Sequence, residues 1–79
     1  MLIFPYGKMS KRFDRPEELG AAVRARRREL GLTQEEVAGV AHTGARFVGE
    51  LEAGKPTVQL AEMLRVLGAL GLDLELNER

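Results

Sequence analysis

Few residues of this chain have the chemistry needed for catalysis or metal binding. The sequence contains one histidine, His42, and no cysteine, so a metal cluster or a histidine-based catalytic pair would lack its other members. Glu35 and Glu36 are adjacent, but neighbouring helix positions point apart, so they suit the positive end of a helix dipole rather than acid–base work. The glycine spacing matches no phosphate-binding loop. We therefore predict a protein that is not an enzyme and needs no cofactor or metal ion.

The basic residues are more informative. Residues 24–28 read RARRR. Residues 1–32 hold eight basic and four acidic residues, a net charge of +4, whereas residues 33–79 hold four basic and eight acidic residues, a net charge of −4. This charge asymmetry favours one face that binds a polyanion and another that binds a different partner. A charged surface that is only solvated would give the same distribution of charge along the sequence. Arg24 and Arg28 share one flank of a helix, where they either contact phosphates or are simply solvated.

Length and hydropathy limit the classes of protein that this chain can belong to. Its 79 residues suffice for one small domain, whose marginal core makes oligomerisation a usual remedy. The apolar stretches over residues 1–5 and 66–72 are far shorter than the roughly 18 residues of a membrane span. No basic residues precede the first stretch, as they would in a secretory signal. We therefore expect a soluble cytoplasmic protein with no membrane partner.

The N-terminal part predicts an arm followed by a helix. Residues 1–13 show no sustained periodicity and contain proline and glycine, which indicates a loose arm or a short strand. Met9 is an alternative start of the protein, and the sequence does not decide this. Apolar residues at helical spacing predict a first helix over residues 16–30. We expect Asp14 and Glu17 to form a capping box at its start and Gly31 to end it.

The next segment predicts two short helices joined by a tight turn. Thr33 and Glu36 have the spacing of a second capping box, which opens a helix that runs to about residue 41. Residues 42–44 interrupt the pattern, and residues 45–53 resume it. This is the arrangement of a helix-turn-helix, whose second helix can lie in the major groove of DNA.

A fourth helix is predicted over residues 58–69. Thr57 is its expected cap, and Gly71 closes the segment. The apolar residues at helical spacing, which we expect on its buried side, are Leu60, Leu64, Leu67 and Met63.

Leu72, Leu74 and Leu76 alternate with polar residues, which predicts a half-buried strand. A solitary strand would leave its backbone donors and acceptors unpaired. Either residues 1–6, MLIFPY, fold back onto it, or a second copy of the chain supplies the partner. We favour the second copy, because two leucine-faced strands would also bury apolar surface that a small monomer exposes.

Residues 19–56 resemble the XRE-type, Cro and λ-repressor-like family of DNA-binding proteins. The segment LGAAVRARRRELGLTQEEVA is similar to the first two helices of that family, and ELEAGK is similar to the end of its recognition helix. The tail GKPTVQLAEMLRVLGALGLDLEL resembles the HipB-like antitoxins. The resemblance implies an all-α, λ-repressor-like bundle of four to five helices with a C-terminal dimerising β-strand. It divides the chain into an arm (1–13), a helix-turn-helix domain (14–70) and a strand and tail (71–79).

The resemblance also assigns roles to individual residues. It implies a structural ion pair between Arg27 and Glu52, and core positions at Val48 and Leu51. At the exposed start of the recognition helix, side chains can reach base edges, and helix N-termini and cations can bind phosphates. The expected base contacts are Ala45, Arg46 and Glu50, and the expected phosphate contacts are Thr33, Gln34, Gly44, Lys55, Arg24 and Arg28.

Two positions depart from the family pattern, and the placement of a third residue is left open by the sequence. His42 stands where the family usually has glycine, in a turn that needs positive φ; histidine tolerates this conformation at a cost of about 1 kcal/mol. Gly44 stands where a polar cap is usual, and glycine is a tolerable cap. Phe47 belongs either to the core or to the exposed side of the recognition helix.

These observations predict a dimeric, sequence-specific transcriptional repressor that binds a palindromic operator in double-stranded DNA. By resemblance, it would be the antitoxin of a toxin–antitoxin pair that regulates its own operon, with a HipA-like kinase as the toxin partner. A stand-alone repressor has the same sequence features. A protein-interaction module that has lost DNA binding is the alternative from another class, and the zero net charge and Glu50 favour it.

Overall fold

The computed structural model describes the backbone of residues 2–5 and the whole of residues 11–78, so the alternative start at Met9 lies outside the described residues. In chain order the elements are β1 (Leu2–Pro5), β2 (Lys11–Arg12), α1 (Pro16–Glu29), α2 (Gln34–Ala41), α3 (Ala45–Glu52), α4 (Leu60–Ala69) and β3 (Leu72–Glu75). The predicted mainly helical fold with a helix-turn-helix is confirmed. None of the described helices is long and apolar enough to cross a membrane.

Local backbone interactions define both ends of α1, but its start differs from the prediction. The predicted capping box of Asp14 and Glu17 is wrong. Arg15 is the N-cap and has no side-chain capping bond, and Glu18, not Glu17, accepts a hydrogen bond from the backbone N–H of Asp14, at 3.4 Å. Gly31 ends the helix as predicted, with a φ of 71°, which glycine adopts without steric cost.

The buried face of α4 agrees with the prediction at Met63 and Leu67 but differs from it at Leu60 and Leu64. Its buried side chains, together with the residue that caps it, are Met63, Val66, Leu67 and Leu70. Leu60 and Leu64 were predicted on that side, but both are exposed. Both sets have helical spacing, so the sequence pattern does not choose between them; packing against α2 does. The predicted cap Thr57 is also wrong, because α4 begins later, after Gln59.

The core is one cluster to which all four helices and β3 contribute. Its members are Leu19, Val23, Val37, Ala38, Ala41, Val48, Leu51, Met63, Val66, Leu67, Leu70 and Leu72. α1 and α3 approach closely at Gly20, where a Cβ atom would lie 2.5 Å from the carbonyl oxygens of both Leu51 and Glu52. Only glycine permits this contact, which fixes α3 against α1.

β3 pairs with β1 of its own chain and not, as we favoured, with a second copy. The two strands are antiparallel, with Leu2 opposite Glu75 and Pro5 opposite Leu72. β2 lies on the other side of β1. Pairing within one chain avoids the translational and rotational entropy cost of association, which favours the fold-back alternative. The strand order β2-β1-β3 leaves β3 at an edge of the sheet.

The three leucines expected to form a dimer interface have different environments. Leu72 is buried in the core of its own chain, and Leu74 is half-buried against that core. Leu76 is exposed. Of the three, only Leu76 leaves its side chain available to a second copy.

Candidate nucleic-acid interface

Both helices of the helix-turn-helix begin at N-termini that face solvent. The Thr33 hydroxyl accepts a hydrogen bond from the backbone N–H of Glu36 at 3.0 Å, and the Glu36 carboxylate accepts one from the N–H of Thr33 at 2.8 Å. This confirms the predicted capping box. The N–H groups of Gln34 and Glu35 have no acceptor within the helix, and α3 follows the exposed Gly44, which has no side chain to cover its first turn. Each N-terminus can therefore receive an anion such as a phosphate.

The turn between these helices is held by α4. His42 adopts the left-handed conformation, with φ 56° and ψ 48°, as predicted for a turn that usually has glycine. The hydroxyl of Thr43 donates a hydrogen bond to the Glu62 carboxylate, and Arg65 donates from Nε to the last carbonyl of α2 at 2.9 Å. Neither contact was predicted from the sequence. Their only sequence signal is that charged residues interrupt an otherwise apolar helix.

The two faces of α3 differ in burial. Val48 and Leu51 are buried, as the resemblance implies. Phe47 is half-buried against the core, which settles its open placement, and Ala45 is half-buried there too. Arg46 lies on the opposite face, and its side chain is 91% exposed. α3 is therefore anchored along one side and presents Arg46 from the other.

A buried ion pair anchors α3 to α1. Arg27 donates from Nε and Nη2 to the two carboxylate oxygens of Glu52, at 2.6 Å and 3.0 Å, and these side chains are only 11% and 4% exposed. Arg27 also donates from Nη1 to the carbonyl of Leu32 at 2.8 Å. Gln34 donates from Nε2 to Glu52 at 3.2 Å. The implied pair is confirmed, and it also includes Gln34, which was expected to contact a phosphate.

The electrostatics of this pair favour its charged form. Burial alone would raise the pKa of Glu52, but hydrogen bonds from Arg27 and Gln34 outweigh it and hold that pKa below its ordinary value. The hydrogen bond to Glu52 raises the pKa of Arg27 against the opposing effect of burial. Arg24, three residues before Arg27 on α1, also lowers the Glu52 pKa through its charge.

A second, exposed group of charges lies on the outer face of α3. Oε2 of Glu50 is 3.6 Å from Nε of Arg46 and 3.4 Å from Nζ of Lys55. The Glu50 side chain is 33% exposed. Two residues expected to touch DNA therefore share one carboxylate, and we call Arg46, Glu50 and Lys55 the outer cluster.

The remaining basic residues of α1 divide into two groups. Arg24 and Arg28 are exposed, and the described contacts do not link Arg28 to the helix-turn-helix. Arg26 donates from Nε to the carbonyl of Leu70 at 2.9 Å and pairs with Glu29 at 2.5 Å. It therefore joins α1 to the end of α4.

The chain matches the family described as helix-turn-helix domain over residues 18–79. It is 48% identical over 68 residues to an uncharacterized HTH-type transcriptional regulator of Sinorhizobium fredii, covering 86% of this chain and 90% of that protein. Among solved structures, the HipB–O4 20mer complex and the HipA–HipB–O2–O3 complex each contain a chain with a TM-score of 0.80 and 22% identity. Each match covers 86% of this chain and 96% of the other. The structural matches establish the shared fold, and the sequence matches show that this chain belongs to the helix-turn-helix family of transcriptional regulators.

Proposed function

We propose that this protein is a sequence-specific repressor that binds double-stranded DNA as a homodimer. The observation that carries the proposal is the asymmetry of α3. One side is fixed by the core and by the Arg27–Glu52 pair, while Arg46 projects from the other with its side chain 91% exposed. A rigid helix with an exposed arginine near its N-terminus suits base reading in a major groove, where arginine pairs with guanine O6 and N7.

Phosphate binding would come from the groups around α3. The first-turn amides of α2, at Gln34 and Glu35, and the uncovered start of α3 after Gly44 offer N–H donors. Lys55 lies directly beyond the end of α3 and adds a cation. These contacts would fix the orientation of α3 on the duplex without reading its sequence.

The dimer would use a surface that shares only Leu76 with the three leucines predicted from the sequence. Leu60 and Leu64 are one turn apart on the outer side of α4, and both are exposed. β3 lies at a sheet edge, and the exposed Leu76 follows it. A second copy would cover the apolar row and pair with the edge strand, which buries apolar surface and satisfies unpaired backbone groups.

Light scattering tests the dimer. Leu64→Gln should shift the wild-type mass from a dimer towards a monomer. Leu30→Gln is the matched control, because Leu30 is an exposed leucine at the end of α1, outside the proposed interface. A monomeric wild type, or equal loss in both variants, contradicts the proposed surface.

The antitoxin role rests on resemblance. The tail resembles HipB-like antitoxins, and HipB is present in a solved complex with HipA. We therefore propose that a HipA-like kinase is the protein partner and that the pair acts in the cytoplasm. A kinase-like reading frame beside the gene, and recovery of its product with this protein after co-expression, test this. If no such reading frame is found beside the gene, a stand-alone repressor is favoured.

Salt-dependent DNA binding tests the main proposal. Duplexes are first selected from a random-sequence library by the wild-type protein, and the affinity for the selected duplex is then measured over a range of salt concentrations. The logarithm of affinity should fall linearly with the logarithm of salt. Lys55→Ala should make this salt dependence shallower, by the amount expected for the loss of about one phosphate contact. If no duplex is enriched and binding does not depend on salt, the protein is the interaction module that the zero net charge and Glu50 favour.

A further inference from the structure

Backbone geometry holds the outer cluster together. Gly54 has a φ of 85°, and its N–H donates to the carbonyl of Leu51 at 3.1 Å. The N–H of Lys55 donates to the carbonyl of Glu50 at 3.0 Å. This is a helix-ending turn that depends on glycine. It fixes the start of the lysine side chain beside Glu50, so their contact follows from the fold.

Arg46 lies within ion-pair distance of the same carboxylate. It precedes Glu50 by four residues, a spacing that brings side chains together on a helix. The atom that faces the Glu50 carboxylate is Nε, at 3.6 Å. The two terminal nitrogens of the guanidinium therefore stay available, and these are the donors that a guanine edge accepts.

We propose that Glu50 is a specificity-determining residue that acts as an internal counter-ion for the recognition surface. Its carboxylate neutralises part of the charge of Arg46 and Lys55, and its negative charge opposes any phosphate that approaches them. It also lies opposite Nε of Arg46 and leaves the terminal nitrogens free to donate to a base. This inference rests on the proposed DNA-binding function and replaces the expectation that Glu50 itself contacts a base.

Glu50 should affect the two kinds of DNA complex differently. On a duplex of arbitrary sequence, affinity comes from cations that displace counterions from phosphates, and Glu50 weakens those contacts. On the correct sequence, a guanine accepts from the terminal nitrogens of Arg46 while Nε still faces Glu50, so the carboxylate helps to orient the contact. Glu50 therefore lowers non-specific affinity more than specific affinity.

The test compares Glu50→Gln with Glu29→Gln. Both remove one negative charge, and Glu29 is an exposed residue at the end of α1, outside the helix-turn-helix and outside the proposed dimer surface. For Glu50→Gln we expect the affinity for a random duplex to rise about tenfold. Its salt dependence should become steeper, by the amount expected for about one additional phosphate contact. The affinity for the selected duplex should change by less than about threefold, so the ratio of specific to non-specific affinity falls. Glu29→Gln should leave that ratio unchanged, and Glu50→Asp should retain most of it because the charge remains.

Three results overturn the inference. If Glu50→Gln weakens only the selected duplex, Glu50 reads a base. If Glu50→Gln and Glu29→Gln strengthen all duplexes by one common factor, only net charge matters. If wild-type protein binds no duplex in a salt-dependent manner, the proposed function itself fails, and that result is visible before any variant is examined. Thermal unfolding of each variant confirms that the comparison is made on folded protein.

Discussion

α3 carries two carboxylates only two residues apart, and the fold gives them different environments. Glu52 is 4% exposed and accepts hydrogen bonds from Arg27 at 2.6 Å and 3.0 Å. Glu50 is 33% exposed and lies 3.4 Å and 3.6 Å from its two cations. Helix positions i and i+2 do not share a face, so one carboxylate points into the domain and the other points outward.

This difference separates stability from recognition. Removing one partner of a buried pair leaves an uncompensated charge away from water, which is strongly destabilising. An exposed pair exchanges readily with water and ions, contributes little to stability, and can be displaced by an incoming phosphate. The Arg27–Glu52 pair, which we call the inner pair, therefore sets the position of α3, and the proposed role of the outer cluster is to adjust what α3 binds.

The largest expected effect is the loss of the inner pair. Glu52→Ala leaves Arg27 buried without its carboxylate, and should lower the free energy of unfolding by about 3 kcal/mol. Glu50→Ala is the matched control on the outer face and should change it by less than about 0.5 kcal/mol. Urea unfolding measures both. Equal midpoints for the two variants would refute the distinction between the faces.

The next largest effect on stability concerns the close packing of α1 against α3 at Gly20. A Cβ atom at Gly20 would lie 2.5 Å from two carbonyl oxygens of α3, so Gly20→Ala must push α1 and α3 apart and should cost about 1–3 kcal/mol. Gly39 lies on the exposed side of α2, where an added Cβ atom would meet open space, with no neighbouring atom within 4 Å. Gly39→Ala should therefore stabilise by about 0.5–1 kcal/mol. Thermal denaturation gives the sign of each change, and the same sign at both positions would contradict this packing.

The third prediction separates base reading from anchoring. Arg46→Ala should cost about 1–3 kcal/mol of binding per half-site and relax the preference at one base pair. Gln34→Ala should weaken binding to all sequences alike, and should also reduce stability by about 1 kcal/mol because its hydrogen bond to Glu52 is lost. Competition against single-base variants of the selected duplex measures both effects. A common factor for all duplexes with Arg46→Ala would make Arg46 a phosphate contact.

The smallest effect concerns pH. The pKa of Glu52 is lowered from its ordinary value of 4.5, so its contribution to stability is complete above that value and is lost as pH falls through the lower folded-state pKa. Wild-type stability should therefore fall more on acidification below about pH 4.5 than that of Glu52→Gln, which has no proton to bind there. Urea unfolding at neutral and acidic pH tests this, and parallel losses in both proteins would count against it.

The sequence predicted the helix-turn-helix well because its signals are local. The Thr33–Glu36 capping box, the stop at Gly31 and the left-handed turn at His42 each depend on a few neighbouring residues. The Arg27–Glu52 pair was implied by resemblance alone, since its members lie 25 positions apart. The roles of Ala45, Arg46 and the expected phosphate contacts stay predictions.

Other features depended on tertiary structure. The spacing of α4 allowed Leu60 and Leu64 to face inward beside Met63 and Leu67. Packing against α2 instead leaves Leu60 and Leu64 exposed and buries Val66. Alternation in β3 predicted a strand but could not identify its partner, because a pairing between distant segments leaves no local pattern. The bonds of Arg26 and Arg65 to backbone carbonyls were missed for the same reason.

The sequence by itself determined where the helices of the DNA-binding motif begin and end, because capping and turn conformations are set within one or two turns of chain. Only the tertiary structure decided which face of each helix is buried, that β1 completes the sheet, and that Glu50 and Glu52 have separate environments. Those choices depend on which distant surfaces exclude water together, a property of the packed domain as a whole.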